Sequence, residues 1–577
     1  MKNKAKAPVV AAKPLFQPGG FVREQARLGL DGTPGPKFAD VYELDSKPLG
    51  EGRYSEVYAA TNRITGARRA VKTARRRSAS STKIVEHGME CPGRLARHEA
   101  DILKRMDHPN VIKLFEIYEE EDAVHLVLEL CEGSDVLERI LVSKGRLPEH
   151  EISLLFVQML FATWHLHSRG VVHRDLKPEH FLFTRREPDR DPLPPRNASL
   201  KVIDFGLSHL AHANFVPLGG TPQFMPPEII NGMAPSQAVA DRVDMWALGV
   251  VMHAMLVGHY PSPHLTDKTQ AQYFAKSAWS TTSKECLDLL GSMLRQNPDS
   301  RPTVAKALQH PWVKNAISAR GLPSDGLVSS LPAAIKSYAG APGLQKLVLL
   351  ATAKDSDDFD YYGLRMIFQA LLSNGGGGLT KEAMQAIAER DGPWSKIAGA
   401  IAQSSIRFGA SGAGDDNALD WTEFMASALL MTASGAAKAA PISPDLPPLK
   451  EDVVWRSFDL LSLSSGEITG TTLKRLLAFC PPGPKGGLGL PEEEAQKMND
   501  EEDFERARGA LAPPEALDRL IVELYPETGC VRKSECMALL CGEAKPPPKS
   551  SGGGVFACFK CGKAPAGDAG LPKGDRV

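Results

Sequence analysis

From Tyr42 the chain alternates apolar and polar positions through EVYAATN and ARRAVKT, with β-branched and aromatic residues set between turn signals. A period of two predicts half-buried strands. After Glu149 the spacing lengthens: EISLLFVQMLFATWHLHSRG places apolar residues three and four apart and stops at Gly170, which predicts a helix. Strands first and helices afterwards predict a two-lobed α+β domain. The charged, proline-rich run from Arg185 to Ser199 is expected to be a solvated insertion loop. Beyond His310–Val313 the pattern changes. Leu327 to Lys354 has the pattern of an amphipathic helix broken at Pro342, and short helical segments separated by glycine-rich or acidic loops follow it. These shifts divide the chain into a disordered arm (1–41), a principal domain (42–313), a junction segment (314–354), a first helical lobe (355–432), a linker (433–450), a second helical lobe (451–543) and a disordered tail (544–577).

Composition narrows the function classes. At 577 residues the chain exceeds one core. Its formal net charge of −1 provides no global field for nucleic acid or anionic membrane. The nine cysteines are scattered and odd in number, the pattern of reduced thiols in a cytoplasmic protein. The start, MKNKAKAPVV, has no signal-peptide apolar run, Lys2 excludes N-myristoylation, and no apolar run is long enough to span a bilayer. Cys558 and Cys561 form a lone CxxC, for which two free thiols is the leading reading beside half a zinc site, a disulfide or an acylated tail.

The principal domain carries the parts that phosphoryl transfer needs: phosphate positioning, charge neutralisation by metal, and an acceptor hydroxyl held in line. LGEGRYSEV (Leu49 to Val57) matches a glycine-rich loop in which Gly50 and Gly52 let backbone amides approach phosphates, with Ser55 where a third glycine is usual. Lys72 in AVK is placed for the α/β-phosphates, and Glu99 in ARHEADILKRM is its natural carboxylate partner. In HRDLKPEH, Asp175 is the expected base at the acceptor hydroxyl and Lys177 can neutralise the transferring group. Asp204 of DFG follows the strand-like LKVI and would hold magnesium. Glu228 and Arg301 are expected to pair in the interior, and Asp244 to rigidify the catalytic loop.

In this order and spacing, Tyr42 to Val313 resembles the eukaryotic protein kinase family. Lys177 with Thr221 in GGTPQF resembles its serine/threonine branch, and ELCEGSDVLERI and ALQHPWV resemble the calcium/calmodulin-regulated group. The resemblance implies a bilobal kinase fold that transfers the ATP γ-phosphate to protein substrates with Mg2+ or Mn2+. It implies nucleotide contacts from Leu49, Gly50, Gly52, Val57, Ala70, Lys72, Glu129 and Cys131, metal ligation by Asp204 and the residue at His180, and substrate contacts from Asp135, Glu179 and Thr221. Acidic Asp135 and Glu179 imply a preference for substrates with an upstream arginine. The main departure is His180, where kinases ordinarily place asparagine; imidazole suits manganese or zinc better than magnesium. The other reading is a pseudokinase or scaffold that binds nucleotide and partners with little catalysis. Pro226 replaces an alanine, and Ser208 is the sole hydroxyl residue between the DFG and Thr221, so activation by phosphorylation of that segment is not expected.

The kinase-like part, a broken helix and then loop–helix units resemble a calcium-dependent protein kinase with an all-α EF-hand-like module, and the resemblance implies a junction that inhibits the lobe. Four loop ends carry an apolar residue where paired loops share a short strand: Leu379, Leu419, Ile468 and Val531. Calcium loops need oxygen ligands at positions 1, 3 and 5 and a glutamate at 12. Counting from the apolar residues gives Leu372, Asn374, Gly376 and Ala383; Gly412, Gly414, Asp416 and Glu423; Leu461, Leu463, Ser465 and Thr472; and Leu524, Pro526, Thr528 and Glu535. The loops are therefore mostly degenerate. Only the second, with Asp416, Asp420 and Glu423, retains a cluster of acids, and whether it takes calcium stays open.

Overall fold

The structure is a computed structural model describing residues 23–25, 37–52, 55–75, 92–143, 145–185, 198–210, 220–233, 239–262, 265–341, 343–358, 360–375, 379–404, 419–435, 453–454, 456–457, 467–469 and 530–532. All of these lie in one compact unit, Met1–Glu543. Most of the 185–199 insertion, nearly all of the linker and the tail with Cys558 and Cys561 fall outside the described residues.

The smaller lobe is a sheet of β1 (Arg23–Gln25), β2 (Tyr42–Glu51), β3 (Glu56–Asn62), β4 (Arg68–Arg75), β5 (Leu114–Glu119) and β6 (Ala123–Leu128), in the order β1-β5-β6-β4-β3-β2. The arm expected to be disordered through residue 41 corrects the sequence reading in two places. Arg23–Gln25 pairs in parallel with Glu116–Tyr118, and α1 (Phe38–Val41) buries Phe38 against Tyr42, Tyr118 and His125. Backbone hydrogen bonds and one aromatic ring suffice to order these pieces, and a proline- and glycine-rich composition hides both. Helix α2 (Pro92–Leu103) packs on β4, β5 and β6 and carries Glu99 inward.

The larger lobe contains α3 (Val136–Val142), α4 (Glu149–Ser168), β7 (Val171–Val172), β8 (Phe181–Phe183), β9 (Leu200–Val202), β10 (His209–Leu210), α5 (Pro227–Ile230), α6 (Arg242–Val257), α7 (Gln270–Phe274), α8 (Lys284–Met293), α9 (Val304–Leu308) and α10 (Pro311–Ala319). The helix predicted to stop at Gly170 ends as α4 at Ser168, and Gly170 takes the left-handed φ of 69° that turns the chain towards the catalytic loop. Helices α4 and α6 are apolar nearly all round and form the lobe's interior, as fully buried helices must.

The junction pattern broken at Pro342 forms two helices, α11 (Asp325–Gly340) and α12 (Gly343–Asp355). The module follows with α13 (Tyr362–Asn374), α14 (Lys381–Ala388), α15 (Ser395–Gln403) and α16 (Trp421–Gly435). The main packing of α11 is against α15 and α16, and that of α12 against α16. The buried stripe Leu327, Leu331, Ala334, Ile335 and Tyr338 of α11 is thus held largely by the helical module. Leu419 donates its N–H to Leu379 O (3.0 Å), and in the second half β11 (Glu467–Thr469) pairs antiparallel with β12 (Cys530–Arg532), placing Ile468 opposite Val531. The strand pair anticipated at Ile468 and Val531 is present, whereas Leu379 and Leu419 meet through a single backbone hydrogen bond.

Several histidines are buried neutral. His253 Nδ1 donates to His259 O (2.7 Å) and its Nε2 faces the Tyr273 hydroxyl (2.8 Å), and burial lowers it from 6.5 to about 4. Below pH 6.5 the unfolded chain takes up a proton that the folded chain refuses until about 4, so stability is full above 6.5 and is lost as pH falls through that window. The melting temperature is expected to fall between about pH 7 and about pH 5, less steeply in His253→Gln; an unchanged slope would assign the effect to other groups.

Candidate active site

The catalytic loop is set by one buried carboxylate. Asp244, fully buried in the first turn of α6, accepts the backbone N–H of His173 and of Arg174, both at 2.8 Å, and faces His167 Nε2 at 2.8 Å. Burial raises its pKa, but the His167 contact and the backbone donors outweigh this and hold it ionised below the usual range. Arg174 is thereby held at a φ of 73°, and Asp204, in the turn after β9, has a φ of 61°. Non-glycine residues occupy this region only when their surroundings impose it.

Strand β4, helix α2 and the turn after β9 converge on three charges. Lys72 Nζ donates to Glu99 Oε2 at 2.7 Å and to Asp204 Oδ1 at 2.9 Å. Burial disfavours the Lys72 ammonium, but the two carboxylates outweigh it and raise its pKa. Burial likewise opposes ionisation of Asp204, yet Lys72 and then His180 hold its carboxyl below the usual range. Phe205 is fully buried and packs 5.0 Å from His173. Asp175 Oδ1 accepts the Thr221 backbone N–H and hydroxyl, each at 2.9 Å, while Lys177 Nζ lies 3.3 Å from Thr221 Oγ1 and 3.4 Å from Asp175 Oδ2. The structure therefore groups Lys72, Glu99 and Asp204, and beside them Asp175, Lys177 and Thr221.

His180 joins the two groups. Its Nδ1 lies 2.8 Å from Asp175 O, and since a carbonyl only accepts, Nδ1 carries the hydrogen. Nε2 is left with its lone pair, 3.5 Å from Asp204 Oδ2. Burial lowers its pKa to about 4, so the ring is neutral at physiological pH. A neutral imidazole nitrogen beside a carboxylate is a donor set that fits a divalent cation.

The remaining sequence candidates fall around this centre. Leu49 is exposed on β2, Val57 packs against the core cluster, and Ala70 is buried in it. Gly50 pairs with Val57, and the Gly52 N–H donates to Ser55 O at 2.8 Å. Glu129 and half-buried Cys131 lie on the segment joining β6 to α3, the connection between the lobes. Asp135 caps α3 by accepting the Glu138 N–H at 2.7 Å, and Glu179 lies in the turn next to it with a buried Oε2 that has no hydrogen-bond partner among the described residues. Glu228 and Arg301 form a two-point pair at 2.6 and 2.7 Å.

The second acidic loop corrects the sequence reading. Asp416 lies outside the described residues, and Asp420 is engaged elsewhere: it ion-pairs with Arg169 at the end of α4. Burial raises its pKa to about 7, with Arg169 opposing and Asp107 adding to the shift. The Thr422 N–H and hydroxyl donate to Asp107 at 3.1 and 2.7 Å, and Glu423 lies in the first turn of α16. Among the described residues no group of three or more His, Cys, Asp or Glu is arranged to hold a metal.

Sequence reasoning missed Lys113, Arg169, Lys201, Asp358 and Trp421, which join the module to the kinase lobes. One signal was available: Lys113 in VIKLFE and Lys201 in LKVI are charges inside apolar strand-like runs, which require buried partners.

The fold and this constellation define a protein kinase domain, and residues 43–313 match the family model described as protein kinase domain. Similar proteins include calcium-dependent protein kinase 3 of Plasmodium berghei (strain Anka), 30% identical over 451 residues, covering 76% of this chain and 73% of the relative. Calcium-dependent protein kinase 5 of Plasmodium falciparum (isolate 3D7) is 29% identical, covering 81% and 75%, and CDPK-related kinase 4 of Arabidopsis thaliana is 32% identical, covering 62% and 57%. The chain belongs to the calcium-dependent protein kinase family.

The Glu228–Arg301 pair yields a stability test. Glu228→Gln leaves a buried guanidinium short of its counter-charge, and urea unfolding is expected to show a loss of about 3 kcal/mol.

Proposed function

We propose that the chain is an active serine/threonine kinase that transfers the ATP γ-phosphate to protein substrates. The observation that carries this reading is the closed triad: Lys72 already holds Glu99 and Asp204, so the phosphate-positioning charges need no rearrangement before nucleotide binds. Leu49, Gly50, Gly52, Val57 and Ala70 would frame the nucleotide, with the Glu129–Cys131 backbone at its base edge. Asp175 would orient the acceptor hydroxyl, Lys177 would meet the transferring charge, and Thr221 would hold both in register. Asp204 Oδ2 and His180 Nε2 would hold a divalent cation, which when bound neutralises developing phosphate charge. The orphaned Glu179 carboxylate near the Asp135 cap supports recognition of an arginine upstream of the acceptor.

His180 favours a second reading, a nucleotide-binding scaffold, because an imidazole replaces the usual hard oxygen ligand. Calcium control by the second loop is not part of our reading, since Asp420 already faces Arg169. We infer a cytoplasmic protein from the scattered, odd-numbered cysteines; no described helix is long and apolar enough to cross a membrane.

Transfer of labelled γ-phosphate to an arginine-containing serine peptide tests this. Transfer is expected with either metal, more with manganese, unchanged by calcium or chelator, and lost in Asp175→Asn. No transfer by folded protein with either metal would favour the scaffold. His180→Asn is expected to move the metal preference towards magnesium. Glu179→Ala is expected to lower kcat/KM about tenfold on the arginine peptide and little on one lacking it.

A further inference from the structure

The turn between α12 and α13 reads Asp355-Ser356-Asp357-Asp358-Phe359-Asp360, and each of its aspartates meets a base of the kinase domain. Asp355 pairs with Arg69 of β4, and Asp357 and Asp360 each lie 2.7 Å from Arg185 Nη2. Asp358 is fully buried: its Oδ1 accepts from Lys113 Nζ and Trp421 Nε1, both at 2.8 Å, and its Oδ2 from Lys201 Nζ at 2.5 Å. Arg69 and Lys113 belong to the strand lobe, whereas Arg185 and Lys201 follow or lie on strands of the helical lobe. The acidic run is therefore fastened to both lobes.

We propose that this run is a strut that sets the angle between the lobes, and that Asp358 is a positioning residue for the nucleotide site. The path is short. Lys201 Nζ also lies 2.9 Å from Glu129 Oε2, and Lys113 exchanges backbone contact with the same residue, Glu129 N–H donating to Lys113 O at 2.9 Å. Glu129 begins the interlobe segment. Lys113, Lys201 and Asp358 are buried, Glu129 is partly so, and the buried Lys354 ammonium lies within reach of their charges; Asp358 is the one carboxylate that the module supplies to both lysines. Burial opposes the Lys201 ammonium, but Asp358 and Glu129 overcome it and raise its pKa. Without Asp358, Lys201 is left with Glu129 and Lys113 Nζ with the neutral Ser356 carbonyl at 3.0 Å, and the interlobe segment loses its fixed support. The module then supports the kinase rather than restraining it.

The inference rests on the nucleotide site proposed above, so its test reads nucleotide binding and not transfer. Full-length Asp358→Asn is compared with Asp420→Asn, which breaks another, slightly less buried module–kinase pair at the end of α4. With a fluorescent magnesium–ATP analogue, Asp358→Asn is expected to bind about tenfold more weakly, the loss that partial population of the competent lobe angle imposes. Asp420→Asn is expected to bind as the parent does. Unchanged affinity in Asp358→Asn, or equal weakening in both variants, overturns the proposal. Should Asp358→Asn fail to fold, Lys201→Met/Asp358→Asn removes one charge of each sign; parent-like affinity there also overturns it, and about tenfold weaker binding supports it. A parent chain that transfers no phosphate but binds the analogue still decides the matter, whereas a parent that binds none removes the nucleotide site and the strut's purpose with it.

Discussion

A charge taken out of water must be met by another, and this constraint organises the molecule more than any single apolar contact. Lys72 with Glu99, Arg301 with Glu228, and Asp358 with Lys113 and Lys201 are all largely or fully shielded from solvent, and Lys72 reaches from its shielded place to the half-exposed Asp204. Breaking such a pair leaves an uncompensated buried ion, a far larger penalty than the pair's own net contribution. The pairs therefore act as locks. Each joins elements remote in sequence, from 27 residues for Lys72 and Glu99 to 245 for Lys113 and Asp358.

The catalytic loop shows how such a lock becomes chemistry. Asp244 pins the amides of His173 and Arg174, which forces Arg174 into a left-handed conformation and sets the direction of Asp175 and Lys177. The Asp175 carbonyl then fixes the tautomer of His180, whose free nitrogen faces Asp204. A departure from the usual kinase ligand is thus built into the same hydrogen-bonded frame and does not disrupt it. Neutral histidine at this place keeps the cluster's charge unchanged, and the difference lies in ligand softness and reach.

The helical module has kept the backbone of paired calcium loops while spending its acids differently. Ile468 faces Val531 and Leu419 bonds to Leu379, while Asp420 turns to Arg169 and Thr422 to Asp107. The guanidinium of Arg169 thus meets the Asp420 carboxylate from the kinase side. Together with the acidic turn before α13, these contacts attach the module to the kinase lobes through its polar residues as well as its apolar ones.

Local spacing made the kinase domain, the candidate residues of its cleft and the Ile468–Val531 strand pair legible, because each depends on residues a few positions apart or on motifs with fixed backbone roles. The amphipathic break at Pro342 likewise foretold two helices, and Gly170 foretold a helix end. What spacing could not disclose was partner choice. Lys113 and Lys201 announced only that they were charges in apolar runs, and Asp420 looked like part of an acidic loop open to calcium. The order within the N-terminal arm was hidden as well, since it rests on pairing with Glu116–Tyr118 and on one ring, Phe38. By itself the sequence determined the elements and the candidate residues of the cleft, through short-range periodicity, turn geometry and motif spacing. Only the tertiary structure decided which buried ions meet, because electrostatic partnership depends on distance in space and on the water excluded around it.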